Sequence, residues 1–394
     1  MGDKVCNTII IAMEGVVGIK RLVHLYKFIN ILDKMFQHII VIVTGIPLVM
    51  LPELIKLTRN NDKVRIIVLD PTKTRSRDPH GMPTPLIYEW LLHSIQLIRL
   101  RKMLKNADHY LLMGTLNFLA VLVARIVLRC KTYIFAGGFC SMFVENLRKK
   151  IMLKIIEFLT IVFTHYLIVE TPSMTKYIPA PEFLKKIIAR RKTFTYGALY
   201  VDKGFFRRIR PIDERGNVVG YIGDLSFRRS GLEMIHAFKF LARLRPDIRF
   251  LIIGSGELKN RVMDIISKDP VLKSKIMLKE FIPSYTDMPH YMQQLKILVF
   301  PSKLDGLPNT ILEAMASEVL VVATPIGGIP DVVIENATGF ILKDTSVKQI
   351  INTLLHVLNL DRQRQYEIAL KAKQLVLRYS LDGAIKRYRH IFGC

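Results

Sequence analysis

The chain has 394 residues, of which 50% are hydrophobic and 23% charged, so its composition excludes a disordered chain and allows two domains with separate cores. The formal net charge is +25, and residues 1–195 carry most of the excess, with 29 Lys and Arg against 13 Asp and Glu. Such a field favours an anionic partner: nucleic acid, an anionic lipid surface or a phosphorylated substrate.

The cysteines show no pattern of a metal site or a disulfide framework. They are Cys6, Cys130, Cys140 and Cys394, with no Cys-x-x-Cys pair among them. We therefore expect buried, reduced thiols in a cytosolic protein. The N-terminal segment has one early lysine and a short apolar run, which predicts a first strand and not a signal peptide.

Strands and helices alternate along the first half of the chain. An isoleucine-rich run at 7–13 predicts a buried strand, and Gly15 and Gly18 precede a helical spacing of apolar residues. Further strands are predicted at 38–45, 64–70, 107–114 and 132–138 and helices at 85–104 and about 145–164. This alternation predicts an α/β fold with a doubly wound parallel sheet.

The most apolar stretch, residues 151–169, could be mistaken for a membrane span. Lys154, Glu157 and His165 interrupt it, and charges at the centre of a bilayer are costly. We therefore predict no transmembrane helix there, but an amphipathic helix followed by a strand.

Residues 185–217 are polar, basic and rich in turn residues, which predicts a domain boundary. We divide the chain into domains at 1–200 and 201–375 and a C-terminal helix at 376–394. The second half repeats the alternation, with strands predicted at 218–223, 249–256, 275–281, 297–302, 319–325 and 339–342. Two Rossmann-like domains joined by one linker usually bind their ligand in the cleft between them.

Residues 301–313, PSKLDGLPNTILE, combine a strand end, a loop and a helix start. With Pro308 at the first helical position, the amides of Asn309, Thr310 and Ile311 would be unpaired, which suits a diphosphate. Glu313 could accept hydrogen bonds from a ribose diol, and Asp305 from the hydroxyls of a sugar. Two carboxylates placed in this way hold a polyol, unlike the opposed acid and base of a glycosidase.

Two further loops have residues suited to an anionic ligand. Gly327 and Gly328 in TPIGGIPD allow close backbone approach, although a tight turn is the simpler interpretation. Gly223 stands at a strand end ahead of Arg228 and Arg229, which suit diphosphate oxygens but could also form a solvated basic loop. The G-x-G in IIGSGE lacks the third glycine of a dinucleotide fingerprint.

The motifs DGLPNTILEAMAS and GGIPD together resemble the core signature of the retaining glycosyltransferases of family 4, the glycosyl transferases group 1, which have the GT-B fold. The segments YGALYVDKGFF and YSLDGAIKRYRHIF extend the resemblance to the family's linker and to its C-terminal helix, which crosses back to the first domain. The resemblance is strong over 195–394 and rests only on the strand–helix pattern before it.

The resemblance assigns roles to individual residues. It implies that Glu313 holds the nucleotide ribose, that Asp305 contacts the transferred sugar and that Arg229 binds the diphosphate. Donor-binding positions around them are Gly15, Gly223, Arg228, Gly306, Leu307, Pro308, Asn309, Thr310, Gly327 and Gly328. The chain departs from the family pattern with Asp in place of Glu at 305, Asp224 in place of an arginine, and Ala136 where a histidine is usual.

The expected reaction is transfer of a sugar, with retention, from a nucleoside diphosphate sugar to an acceptor hydroxyl, with no metal or other cofactor. We hypothesise a lipid-linked acceptor and a cytoplasmic protein that docks on an anionic membrane face, although the basic clusters could be ordinary solvated surfaces.

Three alternatives remain open. The first is a catalytically silent relative that binds a nucleotide sugar or a protein partner, and the second is a GT-B epimerase or phosphorylase. The third, a nucleic-acid-binding protein, is disfavoured because the basic residues have no interleaved aromatic platform.

Overall fold

The computed structural model describes residues 6–13, 19–44, 61–69, 86–207, 210–282 and 285–394. The chain forms two compact units, one made of residues 1–199 and 384–394 and the other of residues 200–383. The second unit thus runs beyond 375, the limit placed from sequence. One reason is that the Val201 amide donates to the Tyr379 carbonyl (2.8 Å), which fixes the segment after 375 within this unit.

The first unit is built on a parallel sheet in the order β3-β2-β1-β4-β5-β6-β7. The strands are β1 (Cys6–Met13), β2 (Phe36–Thr44), β3 (Val64–Leu69), β4 (His109–Met113), β5 (Lys131–Ala136), β6 (Tyr166–Val169) and β7 (Thr193–Phe194). The helices are α1 (Ile19–Leu32), α2 (Leu86–Arg99), α3 (Arg101–Leu104), α4 (Phe118–Ile126), α5 (Leu147–Phe163) and α6 (Glu182–Lys192). Apolar residues on both faces of the central strands require a helical layer on each side.

Helices α2, α4 and α5 form the layer on one face of this sheet. Phe118 on α4 meets Trp90 of α2 and Phe163 of α5, each with ring centroids 6.4 Å apart. On the other face α1 and the C-terminal helix pack together, with Phe28 and Tyr388 in an edge contact at 5.5 Å.

The described helices are too short or too polar to traverse a bilayer.

The second unit repeats the topology with a parallel sheet in the order β10-β9-β8-β11-β12-β13. Its strands are β8 (Val218–Ile222), β9 (Arg249–Ile253), β10 (Ile276–Lys279), β11 (Ile297–Phe300), β12 (Leu320–Ala323) and β13 (Phe340–Ile341). Its helices are α7 (Lys203–Phe206), α8 (Gly231–Leu244), α9 (Lys259–Ser267), α10 (Pro270–Lys275), α11 (Met288–Met292), α12 (Asn309–Ala316), α13 (Val347–Asn359) and α14 (Arg362–Val376); α15 (Leu381–Phe392) leads back into the first unit. The order reverses between β8 and β11, and in such sheets ligands bind outside the carboxyl ends of the strands at this point.

The prediction that every cysteine is a reduced thiol is wrong, because Cys6 and Cys394 form a disulfide. Their Cα atoms lie 5.6 Å apart, within the range a disulfide needs, although 388 positions separate them in sequence. Phe392 of α15 packs against Phe36 at the start of β2, which brings the chain end to the start of β1. Cys130 and Cys140 are free thiols.

Candidate functional site

The loop between β11 and α12 holds the Asp305 carboxylate in a dense set of contacts. Arg229 reaches both of its oxygens, with Nη2 donating to Oδ1 and Nε lying beside Oδ2, each at 3.2 Å. Arg228 places Nη1 3.1 Å from Oδ2, and the Ser302 hydroxyl donates to the same oxygen at 3.0 Å. The structure thus brings together three residues that the sequence singled out, and it adds Ser302.

The Arg229 side chain is buried and supported from two sides. Its Cζ atom lies 4.9 Å from the ring centroid of Phe300, the last residue of β11, in a cation–π arrangement. A Cβ on Gly223 would lie 2.4 Å from Nη1, so only glycine leaves room for this guanidinium. Gly223 thus leaves space for Arg229 in this structure, and the ligand contact predicted for it stays a prediction.

Asp224, which stands where the family has an arginine, belongs to the same network. Its carboxylate Oδ2 lies 3.5 Å from Nη2 of Arg228. Arg228 also donates from Nη1 to the Leu304 carbonyl (2.5 Å). Its guanidinium therefore contacts both the loop after β8 and the loop between β11 and α12. The two arginines and two aspartates balance in charge, and the guanidiniums are held in place before any ligand arrives.

The start of α12 corrects one expectation. Pro308 is the N-cap and the helix begins at Asn309, so the proline lies one position earlier than predicted. The Ile311 amide donates to the Pro308 carbonyl (3.1 Å) and is therefore not available to a ligand. Of the three amides proposed for a diphosphate, those of Asn309 and Thr310 remain candidates.

Glu313 lies one turn into α12 and is 5% exposed. Its Oε1 accepts a hydrogen bond from the Tyr285 hydroxyl, a partner that sequence reasoning missed. Burial, and then the neighbouring Glu313 carboxylate, raises the pKa of Tyr285 far above its usual range, so the hydroxyl keeps its proton and donates. No local signal marked Tyr285, because it lies in a turn 28 positions earlier in the chain.

The Gly327–Gly328 turn packs on the Asp305 loop. The Gly328 amide donates to the Gly306 carbonyl (3.0 Å). Gly327 has φ +55°, and a Cβ there would lie 2.1 Å from the carbonyl oxygen of Asp305. The glycines at 327 and 328 were predicted to let the backbone approach a sugar or phosphate closely. In this structure they let it approach the Asp305 loop.

We expect Gly327→Ala to destabilise the second unit by about 1–3 kcal/mol, because the added methyl group displaces the Asp305 loop. Donor affinity should fall with it, since that loop fixes the carboxylate bound by Arg229. Gly216→Ala is the matched control, because its Cβ would meet nothing within 4 Å. Chemical denaturation and nucleotide titration measure both effects, and equal stability of the two variants would contradict the assignment.

Arg215 lies within the predicted domain boundary and contacts the far end of α12. It is 4% exposed. Its guanidinium donates to the carbonyls of Leu295, Ser317 and Glu318. A cation at the C-terminus of a helix satisfies carbonyls that have no helical partner, so Arg215 helps to hold the helix that carries Glu313.

Two other predicted features, Gly15 and the G-x-G of IIGSGE, do not belong to this network. Gly15 lies outside the described residues. In the G-x-G pair, a Cβ on Gly254 would lie 1.8 Å from the Gly223 carbonyl oxygen, so this glycine lets two loops of the second unit meet. Among the described residues, no group of three or more His, Cys, Asp or Glu side chains is arranged to hold a metal ion.

Part of the chain matches known proteins in sequence. Residues 202–374 match the model of the family Glycosyl transferases group 1. The capsular polysaccharide biosynthesis glycosyltransferase CapM of Staphylococcus aureus is 27% identical over 148 residues, 38% of this chain and 38% of that protein. The UDP-Gal:alpha-D-GlcNAc-diphosphoundecaprenol alpha-1,3-galactosyltransferase of Escherichia coli is 27% identical over 160 residues, 40% and 41% of the two chains. The chain therefore spans about two fifths of the length of these curated relatives.

Among solved structures, HepE of Anabaena in complex with UDP superposes with a TM-score of 0.73. The similarity covers 98% of this chain and 99% of HepE at 14% identity, so it concerns the fold alone. The predicted GT-B fold of two parallel-sheet α/β domains is confirmed. The predicted resemblance to group 1 is confirmed as well, because residues 202–374 match the model of that family.

Proposed function

We propose that the protein is a retaining glycosyltransferase that moves a sugar from a nucleoside diphosphate sugar to an acceptor hydroxyl. The observation that carries the proposal is the buried Arg229 guanidinium, which Asp305 holds on the loop that leads into the helix that carries Glu313. A fixed cation beside a helix N-terminus suits a diphosphate, and a buried carboxylate one turn further suits a ribose diol.

The mechanism follows from where negative charge develops. As the bond from the anomeric carbon to the diphosphate breaks, the leaving oxygens gain charge, which Arg229, Arg228 and the amides of Asn309 and Thr310 stabilise. These groups are already in place, so little reorganisation opposes the step. For retention, the acceptor attacks from the face that the diphosphate leaves, and a diphosphate oxygen takes the acceptor proton.

Asp305 has a double part in this proposal. It orients both arginines in the ligand-free protein, and its side chain keeps 15% exposure, through which a sugar hydroxyl can reach it. Asp224, by holding Arg228, gives the departure from the family pattern a positioning role. The departures at 305 and 224 are thus compatible with turnover.

A uridine nucleotide is the first donor to test, because HepE, which shares the fold, was solved with UDP. Thermal shift with UDP, GDP and ADP sugars identifies the donor, since a ligand of the native state raises the unfolding midpoint. Release of the nucleoside diphosphate in the presence of extracted membrane lipids then measures turnover. Binding without any release would favour the catalytically silent alternative, and NMR of the product reports the anomeric configuration.

We further propose that the acceptor is lipid-linked and that the first unit docks on an anionic membrane face. The Escherichia coli relative is named for a diphosphoundecaprenol acceptor. In this chain the support comes from the outer surfaces of α2 and α5, here called the docking face. It consists of Leu91, Ile95, Ile98, Leu147, Ile151 and Ile155 with the cations Arg99, Arg148, Lys149 and Lys154.

The docking face combines apolar exposure with positive charge. On α5, Leu147, Ile151 and Ile155 recur every four residues and are 68%, 50% and 55% exposed. Exposed cations flank them, and the one acidic residue of α5, Glu157, is buried. An apolar helix face bordered by lysine and arginine lies in the interface of an anionic bilayer, with its cations at the headgroups.

Charge reversal on the docking face should weaken membrane binding. We expect Lys149→Glu with Lys154→Glu to reduce partition onto phosphatidylglycerol vesicles by about tenfold or more, since each cation near an anionic surface contributes about 1 kcal/mol. Met263→Glu, at an exposed apolar position of the second unit, is the control. Sedimentation at two salt concentrations and with neutral phosphatidylcholine vesicles completes the test. Binding that is absent in the wild type, or unchanged in the double variant, would contradict the docking face.

A further inference from the structure

Glu313 was singled out from sequence, but its partner Tyr285 was not. The phenol donates to Oε1 of a carboxylate that is 5% exposed, at the place where the proposed function puts the ribose. Tyr285 itself is 39% exposed, so its ring lies at the edge of the site and its hydroxyl points inward to Glu313.

The Tyr285 ring is fixed independently of any ligand. It packs beside Phe205, with ring centroids 5.8 Å apart. The Phe205 carbonyl in turn accepts a hydrogen bond from the Ser317 hydroxyl (3.2 Å), directly after the last residue of α12. Phe205, which supports the Tyr285 ring, is therefore hydrogen-bonded to the end of the helix that carries Glu313.

A glutamate needs such support because the terminal torsion of its side chain is broad and sets the plane of the carboxylate. A carboxylate has about four acceptor positions, so it can accept from a phenol and from the two hydroxyls of a diol at the same time. A hydrogen bond to one oxygen fixes the plane of the carboxylate, and with it the remaining acceptor positions, before the ligand binds. This lowers the entropy cost of ordering the side chain on binding.

We propose that Tyr285 is a positioning residue that orients the Glu313 carboxylate for the ribose hydroxyls of the donor. The inference rests on the proposed function and deepens it. Tyr285 acts through Glu313 and takes no part in bond breaking, so its effect belongs to nucleotide affinity and to discrimination between ribose and deoxyribose. The phenol keeps its proton because partial burial and the adjacent carboxylate both raise the pKa of Tyr285.

The test uses Tyr285→Phe, which removes the hydroxyl and keeps the ring beside Phe205. Calorimetric titration with UDP should show affinity weakened about tenfold, the scale of one hydrogen bond to a charged group. The KM for the donor should rise by a similar factor, with kcat nearly unchanged. The wild type should prefer UDP over 2′-deoxy-UDP, and the variant should lose most of that preference.

Two controls separate this role from a merely structural one. Tyr291→Phe removes a hydroxyl in the same region, where the ring contacts the Lys279 ammonium at 5.4 Å, and should leave UDP affinity unchanged. In a Glu313→Ala background, Tyr285→Phe should have no further effect, because the group it orients is gone. The unfolding midpoint without ligand confirms that each variant folds.

Three outcomes with the variants would overturn the inference alone. An unchanged UDP affinity in Tyr285→Phe would show that the Tyr285–Glu313 hydrogen bond does not contribute to nucleotide binding. Tighter binding would show that the phenol blocks the ribose position instead of preparing it. Equal losses for UDP and 2′-deoxy-UDP, persisting in the Glu313→Ala background, would place Tyr285 elsewhere on the nucleotide. A wild-type protein that binds none of UDP, GDP and ADP would overturn the proposed function itself, and the inference with it.

Discussion

Arg229→Ala is expected to lower kcat/KM for the sugar donor by about 10²–10³-fold, the cost of removing one preorganised charge-stabilising group from a transition state. The loss should fall mainly on kcat, since charge on the leaving diphosphate is greatest as the bond breaks. The fold should persist, because Asp305 keeps Arg228 and Ser302 as partners when Arg229 is removed. Initial rates with the donor found by thermal shift measure the effect.

Two further variants control this experiment. Arg261→Ala removes an exposed guanidinium that lies 5.8 Å from the Phe227 ring centroid, outside the Asp305 network, and should leave the rate unchanged. Arg229→Lys keeps the charge but loses the two-pronged contact with Asp305, so an intermediate rate is expected. Wild-type turnover in Arg229→Ala would show that this guanidinium does not bind the diphosphate.

Removal of the disulfide should have the largest effect on stability. We expect Cys6→Ser to destabilise the first unit by about 2–5 kcal/mol, because the bond restricts the unfolded chain between two residues far apart in sequence. For a unit of this size the unfolding midpoint would then fall by roughly 4–20 °C. Differential scanning calorimetry, with and without dithiothreitol, measures the shift.

Reductant is the matched control for this variant. Dithiothreitol should lower the midpoint of the wild type toward that of Cys6→Ser and should leave the variant itself unmoved. Cys394→Ser should behave as Cys6→Ser does. A wild-type midpoint that does not respond to reductant, together with two free thiols at these positions, would contradict the disulfide.

The two parallel sheets could be predicted from sequence because isoleucine- and valine-rich runs alternate with helical spacing. The helix predicted at about 145–164 agrees with α5 to within a few residues, and its apolar spacing matches the burial of Leu153 and Ile161 and the exposure of Lys154. The loop from Asp305 to Pro308 was found because glycine, proline and a following helix constrain the backbone locally. Such signals lie within a single segment of chain.

Contacts between distant segments left no comparable signal. Tyr285 and Glu313 are 28 positions apart, and Cys6 and Cys394 are 388 apart. Arg215 looked like part of a basic linker, because burial of a guanidinium among carbonyls depends on the folded helix end it satisfies. Likewise, the need for glycine at 327 is apparent only once the neighbouring loop is in place.

A crystal structure with bound UDP would show whether the second unit holds a nucleoside diphosphate through Arg229 and Glu313. We expect the diphosphate oxygens to lie within hydrogen-bond distance of the Arg229 guanidinium and the ribose hydroxyls to lie on the Glu313 carboxylate, with the Tyr285 hydroxyl still on Oε1. UDP bound elsewhere on the protein, or bound here with its ribose away from Glu313, would contradict it.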